Sequence, residues 1–259
     1  MHWSVKITMK FNVPIFETKF LHFVRQNQNI VNKVSLRINR GDYTAIIGPN
    51  GGGKTTLIRL LLGLEKPTSG DILLFGLPLK KFNSWDKIGF VPQRVTQIDL
   101  NFPATVIEVV KMGRIAKRGF FKKESPEDLQ AIEDAMKKMN VTYLKDKLIG
   151  DLSGGQRQRV MIARALASKP EVIILDEPNT GVDAVSQQRF YSLLKELNEK
   201  EKLTILFITH DIGVIANDID SILCINQGLL SCNSPHEAMS CSSMSKLYGI
   251  DAHIMHHHH

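Results

Sequence analysis

The sequence predicts an α/β fold: a parallel sheet with helices packed on its faces. Three observations carry that expectation. A glycine-rich segment of phosphate-binding type lies between a short apolar run at 43–47 and a helical pattern at 55–63. After Gly150, helical and strand-like apolar segments alternate. An apolar run at 172–175 closes on two acids, as a buried parallel strand does when it delivers carboxylates to a sheet edge. The length of 259 residues allows one large domain or two modest ones. With 43% apolar and 23% charged residues, the chain has globular composition and can bury a core without disulfides.

The elements follow in order. Val5, Ile7 and Met9 alternate, and so do Val34, Leu36 and Ile38 beyond a polar turn at 25–29, which predicts strands over the first forty residues. Gly41 and Asp42 make a turn before the run at 43–47, and the helix at 55–63 stops at Gly63. Pro67 and Gly70 turn the chain into a strand at 71–75, and a further strand at 88–91 leads to Pro92 and Gln93. From about 104 to 150 the apolar spacing is helical, at 105–112 and 127–139, with a basic loop at 117–123 between. Helices at about 154–168 and 184–200 then alternate with strands at 172–175, 204–208 and 222–225.

Charge and cysteine content narrow the class. Thirty-three Lys and Arg against 26 Asp and Glu leave a net charge of +7, which suits a nucleotide, nucleic acid or lipid headgroup as partner. Three cysteines, Cys224, Cys232 and Cys241, are an odd and sparse set that points to a reduced, cytoplasmic compartment. No stretch approaches the ~18 apolar residues of a spanning helix. The N-terminus lacks the apolar run and cleavage site of a signal peptide.

Three motifs carry chemistry. Gly48, Pro49, Asn50, Gly51, Gly52, Gly53, Lys54, Thr55 and Thr56 spell the phosphate loop G-x-x-x-x-G-K-[ST] between strand and helix. Glycines let backbone amides close on phosphate oxygens, Lys54 reaches the β and γ phosphates, and Thr55 offers a hydroxyl to Mg²⁺. Asp176 and Glu177 end the apolar run, the first placed to hold Mg²⁺ and the second to polarise a water. Between them, Ser153 caps a helix that opens with Gly154, Gly155 and Gln156, a second anion site.

In this order the phosphate loop, the Leu152-Ser153-Gly154-Gly155-Gln156 segment and the Asp176-Glu177 strand end make the chain similar to the nucleotide-binding subunits of ABC transporters. The likeness runs from about 15 to 250. It takes in Gln93, which matches the family's Q-loop glutamine, His210, which matches its switch histidine, and the 179–183 segment, which matches its D-loop. The resemblance implies a P-loop NTPase cassette: a mixed-sheet core with an antiparallel β subdomain (about 15–93 and 151–250), an inserted all-helical subdomain (about 94–150) and a histidine-rich tail at 251–259, all within one domain. It implies ATP and Mg²⁺ as ligands, with Thr55, Gln93 and Asp176 at the ion. Glu177 is then the catalytic base, His210 contacts the γ-phosphate, and Gln93 senses the ion and the attacking water. It implies a head-to-tail homodimer in the ATP-bound state, each ATP lying on Lys54 of one copy and under Ser153, Gly154, Gly155, Gln156 and Asp183 of the other. The aromatic that stacks on adenine in the family is missing. Arg25 stands near its place, with His22 and Phe23 beside it, and either Arg25 or Phe23 is a candidate for the base.

The 101–114 segment resembles importers of manganese, zinc and iron, and the 119–153 segment resembles their manganese and iron branch more than the zinc one. The family receives its membrane subunits around 94–121, which places Phe102, Val106, Val109 and Arg114 near that surface unless they form the insert's own core. The expected partners are integral membrane permeases and, indirectly, an extracytoplasmic metal-binding protein, with no nucleic acid, and the expected location is the cytoplasmic face of the membrane. An iron–siderophore importer and a soluble, non-transport ABC ATPase are the alternatives. The terminal histidines at 256–259 read equally as a metal-sensing tract or a purification tag.

Overall fold

Two sheets arise from the two kinds of strand the sequence offers. The computed structural model describes residues 13–93, 102–119, 121–178, 184–210, 219–232 and 247. Half-polar strands come first: β1 (Phe16–Arg25), β2 (Gln28–Val34) and β3 (Arg37–Ile38), joined later by β5 (Ser69–Leu74) and β6 (Leu77–Pro78). They pair antiparallel in the order β2-β1-β5-β6, with β3 on β1.

The predominantly apolar strands form the second sheet. These are β4 (Tyr43–Ile47), β7 (Ile88–Val91), β8 (Val172–Asp176), β9 (Thr204–Ile208) and β10 (Ser221–Asn226), with β11 (Gly228–Cys232) on the edge. Their order is β11-β10-β4-β9-β8-β7, parallel throughout except for the β10–β11 hairpin. Every residue of β4, β8 and β9 is buried, because both faces of this sheet are covered. The strand period of two sends Val172 and Ile174 to one face and Ile173 and Leu175 to the other.

On the first face lies α1 (Lys54–Leu61), whose Leu57, Ile58, Leu60 and Leu61 pack between the two sheets. The opposite face carries α5 (Gly154–Ala167) and α6 (Ala184–Glu201). Beyond α5 stand α2 (Val106–Met112), α3 (Ile115–Arg118) and α4 (Pro126–Lys138), the expected helical insert. Three helices start on reciprocal capping boxes: Thr105 with Glu108, Ser125 with Asp128, and Ser153 with Gln156. The basic loop expected at 117–123 is shorter at its start, since Lys117 and Arg118 belong to α3.

A close crossing ties the insert to α5. A side chain at Gly113 would put its Cβ 1.9 Å from the Arg164 carbonyl oxygen. The neighbouring Arg114 is 2% exposed, donates to Asp128 at 2.7 Å and to the Ala167 carbonyl at 3.1 Å. The Ser125 backbone amide and then the Arg114 guanidinium hold the Asp128 carboxyl down at about 2. Alongside, Trp85, Phe90, Met112, Ala116, Arg164 and Ser168 line a cleft of about 230 Å³. Among the described residues, no helix is long and apolar enough to cross a membrane.

Candidate nucleotide site

Four adjacent parallel strands end at the same edge, and each delivers one part of the site. From β4 the chain enters the phosphate loop at Gly48, and α1 starts at Lys54. Gly48 has a φ of 151°, and a Cβ there would meet the Ile225 carbonyl oxygen at 1.9 Å. That contact with β10 fixes the loop against the sheet. The Gln227 amide donates to the Gly52 carbonyl at 2.8 Å, and the Asn32 amide donates to the Gln227 carbonyl at 2.6 Å. The β10–β11 turn therefore joins the loop to β2. Local sequence ties this turn to no phosphate site, although a three-residue Asn-Gln-Gly segment between two apolar runs is a hairpin signal.

Lys54 is 5% exposed and donates to the carbonyls of Gly48 at 2.9 Å and Pro49 at 3.0 Å. Burial pushes its ammonium below the usual lysine value, while the carboxylates of Glu177 and Asp176 pull it back. Its head thus lies inside the curl of the loop, where phosphate oxygens would accept its hydrogen bonds in place of the carbonyls.

Strand β8 brings Asp176 beside α1, and Thr55 Oγ1 donates to Asp176 Oδ1 at 3.2 Å. Burial raises the Asp176 carboxyl to about 6, against hydrogen bonding from Thr55 that lowers it. A hydroxyl and a carboxylate are the hard oxygen donors that Mg²⁺ takes from a protein when phosphates complete its shell. Among the described residues no group of three or more His, Cys, Asp or Glu forms a metal cage. Cys224 is buried.

Glu177 follows with φ at 48°, a left-handed conformation for a non-glycine residue before a proline. The turn aims its carboxylate along the sheet edge. Gln93, just past β7, donates from Nε2 to Glu177 Oε2 at 2.5 Å. His210, just past β9, meets Glu177 Oε1 through Nε2 at 2.8 Å. Tyr191 on α6 braces that strand end through a 3.1 Å contact between its hydroxyl and Thr209 Oγ1. Three residues far apart in sequence thus form one hydrogen-bonded group.

The second cradle is built elsewhere. Ser153 Oγ accepts from the Gln156 amide at 3.3 Å, and Gln156 Oε1 accepts from the Ser153 amide at 3.0 Å, at the N-terminus of α5. Nothing lies within 4 Å of a Cβ built on Gly154 or Gly155. These glycines face open space, as an external ligand needs.

The ABC transporter family model matches residues 31–180. This chain belongs to the ABC transporter family. It is 41% identical to the zinc uptake system ATP-binding protein of Listeria innocua, over 86% of this chain and 87% of that one. It is 36% identical to the manganese transport system ATP-binding protein of Bacillus subtilis, over 85% and 86% of the two chains. The fold is similar to a dimeric ATP-binding cassette in a post-hydrolysis state with ADP and Pi, at a TM-score of 0.71 and 28% identity, covering 83% of this chain and 96% of that one.

Several expectations change within the cassette. Phe23 is 8% exposed and packs in the core between the sheets, so stacking on a base would require it to leave that core. Arg25 is exposed, donates to Glu65 at 2.8 Å and lies 5.4 Å from the Phe23 ring centroid. Of the two candidates for adenine, Arg25 is the one with a free approach to solvent. Val106 and Val109 belong to the core of the insert, and Arg114 is buried on Asp128, so none of the three faces a docking partner. Phe102 stays exposed. Asp183 and the rest of the 179–183 segment, the strand expected at 5–9 and the terminal histidines lie outside the described residues.

Proposed function

We propose that this cassette is the ATP-hydrolysing subunit of an importer for a transition-metal ion, zinc, manganese or iron, acting through separate membrane permeases. The observation that carries the ATPase reading is the group at the sheet edge, where Glu177 is held by Gln93 and His210 beside the Lys54, Thr55 and Asp176 cluster. The likeness to zinc and manganese uptake subunits supports the cargo class.

In this reading the amides of 48–56 and the N-terminus of α1 bind the phosphates of ATP, and Lys54 turns from its carbonyl partners to the β and γ phosphates. Thr55 and Asp176, with Gln93, would hold Mg²⁺, which supplies positive charge to the phosphate oxygens. Glu177 takes a proton from the attacking water, and His210 donates from its ring to the γ-phosphate. Ser153, Gly154, Gly155 and Gln156 of a second copy cover the nucleotide, which explains two anion cradles in one chain. The exposed Met112 and Trp85 rim the cleft beside α5, and a permease segment fits there. The subunit then works at the cytoplasmic face of the membrane, beneath a permease fed by an extracytoplasmic metal-binding protein.

Uptake of radioactive zinc, manganese and iron by cells lacking the gene tests the reading. One ion should lose uptake, and the wild-type gene but not Glu177→Gln should restore it. Normal uptake of all three ions would sink the metal assignment.

A further inference from the structure

Between α3 and α4 the chain makes a projecting loop with an unusual tip. Gly119 turns it with φ at 89°, and Phe121 then stands 96% exposed, further out than any other large apolar side chain among the described residues. Lys122 and Lys123 follow, both exposed. The base of the loop is fixed by charge. Lys111 pairs with Glu124 at 3.0 Å, Arg118 reaches the same carboxylate at 3.4 Å, and Lys117 lies 3.7 Å from Glu127. Ser125 and Asp128 cap α4 immediately behind, with Arg114 clamped on Asp128. Glu124, Glu127 and Asp128 are therefore engaged at the base, and no described residue forms an ion pair with Lys122 or Lys123. The tip is an aromatic ring with two adjacent cations, carried on an ordered stem.

We propose that Phe121, Lys122 and Lys123 form a contact with an anionic phospholipid surface. An aromatic ring settles at headgroup depth, where its apolar body leaves water. Lysines beside it are drawn to lipid phosphates within a Debye length. One ring and two lysines make a weak contact, suited to orienting a subunit that a permease already holds rather than to anchoring it alone. The loop leaves α3, whose Ala116 lines the cleft assigned above to the permease, so the tip and the cleft belong to one side of the molecule. The inference rests on the reading that this cassette works beneath a membrane permease.

The test is sedimentation of the full chain with vesicles of phosphatidylcholine, with and without phosphatidylglycerol. Wild type should partition onto the anionic vesicles and release as salt rises. Lys122→Glu with Lys123→Glu should lower that partitioning about tenfold or more. Phe121→Trp should show bluer emission on anionic vesicles than the parent protein, and no change on phosphatidylcholine alone. Lys80→Glu with Lys81→Glu makes the same charge change on the β subdomain and should cost much less. Equal loss in that control, or equal binding to both vesicle types, would overturn the proposal. So would preferential binding of a single-stranded oligonucleotide that the tip variants abolish. Copurification with the permease separates this idea from the functional reading. Variants that keep permease and ATPase activity but lose vesicle binding support a lipid contact. Variants that lose the permease show that the tip touches protein, and the lipid assignment fails.

Discussion

The amide of Gln227 donates to the carbonyl of Gly52 at 2.8 Å, so a turn near the end of the chain supports a phosphate loop near its beginning. The Ile225 carbonyl oxygen presses on the same loop from the preceding strand. Gly48→Ala should fail on that contact. Overpacking against backbone costs about 1–3 kcal/mol, and chemical denaturation should register it together with lost ATP binding. Stability unchanged from wild type would mean that the loop can move away from β10.

Gly154→Ala makes the opposite prediction. Its Cβ points into open space, and alanine suits a helix better than glycine. Stability and ATP binding by the separate subunit should stay within about 0.5 kcal/mol of wild type. ATP-dependent dimerisation should weaken, because the methyl group enters the space that the second copy's nucleotide needs. Light scattering with and without ATP decides between loss of pairing and no effect.

Glu177→Gln keeps the shape of the sheet edge, since an amide can still accept from Gln93 and donate to His210. It removes the base. ATP turnover should fall by about 10²–10⁴, while ATP binding persists and a dimer accumulates at saturating nucleotide. A variant that stayed monomeric there would contradict the shared-nucleotide arrangement.

Asp176 gives a pH signature in the nucleotide-free protein. Burial lifts its carboxyl from the usual 3.8 to about 6. Between those values the folded chain keeps a proton that the unfolded chain has released. This contribution to stability is therefore complete below about pH 4 and is lost as pH rises to 6. The change is at most about 3 kcal/mol. Urea denaturation of wild type and Asp176→Asn across that range isolates it, and the variant should lack this fall.

Arg25→Ala tests the unusual adenine position. Loss of a guanidinium stacked on the base should raise KM for ATP about fivefold and leave kcat alone. Arg25→Tyr should restore the lower KM. An unchanged KM in Arg25→Ala would reduce Arg25 to its ion pair with Glu65.

The phosphate loop, the acid pair and most helices were legible because each rests on local chemistry: glycine spacing, a capping residue, an apolar period. The adenine side of β1 was not. Phe16 and Thr18 are buried in the first half of that strand, yet Leu21 and Phe23 are buried in the second. The pairing shifts between Lys19 and His22, and Phe20 has a φ of 48°. This irregularity changes which residues face the core, so counting alternate residues across it gives the wrong face. The insert failed differently. Its helical period marked Val106 and Val109 as a buried-type face, but no period says whether that face meets its own core or a partner. The group around Glu177 was assembled only by resemblance, since Gln93, Glu177 and His210 come from three strands whose order is set by the whole sheet.

The crossing at Gly113 has a mechanical consequence. With no room for even a methyl group between Gly113 and Arg164, and with Arg114 bonded to the end of α5, the insert and α5 cannot slide past each other. Ten residues of α5, about 15 Å, separate Arg164 at that joint from Gly154. In the proposed dimer, a push on the cleft is therefore delivered as a tilt at Gly154, over the nucleotide of the opposite copy. In that arrangement the subunit is a lever with its fulcrum in the insert, and the load and the effort sit in different molecules.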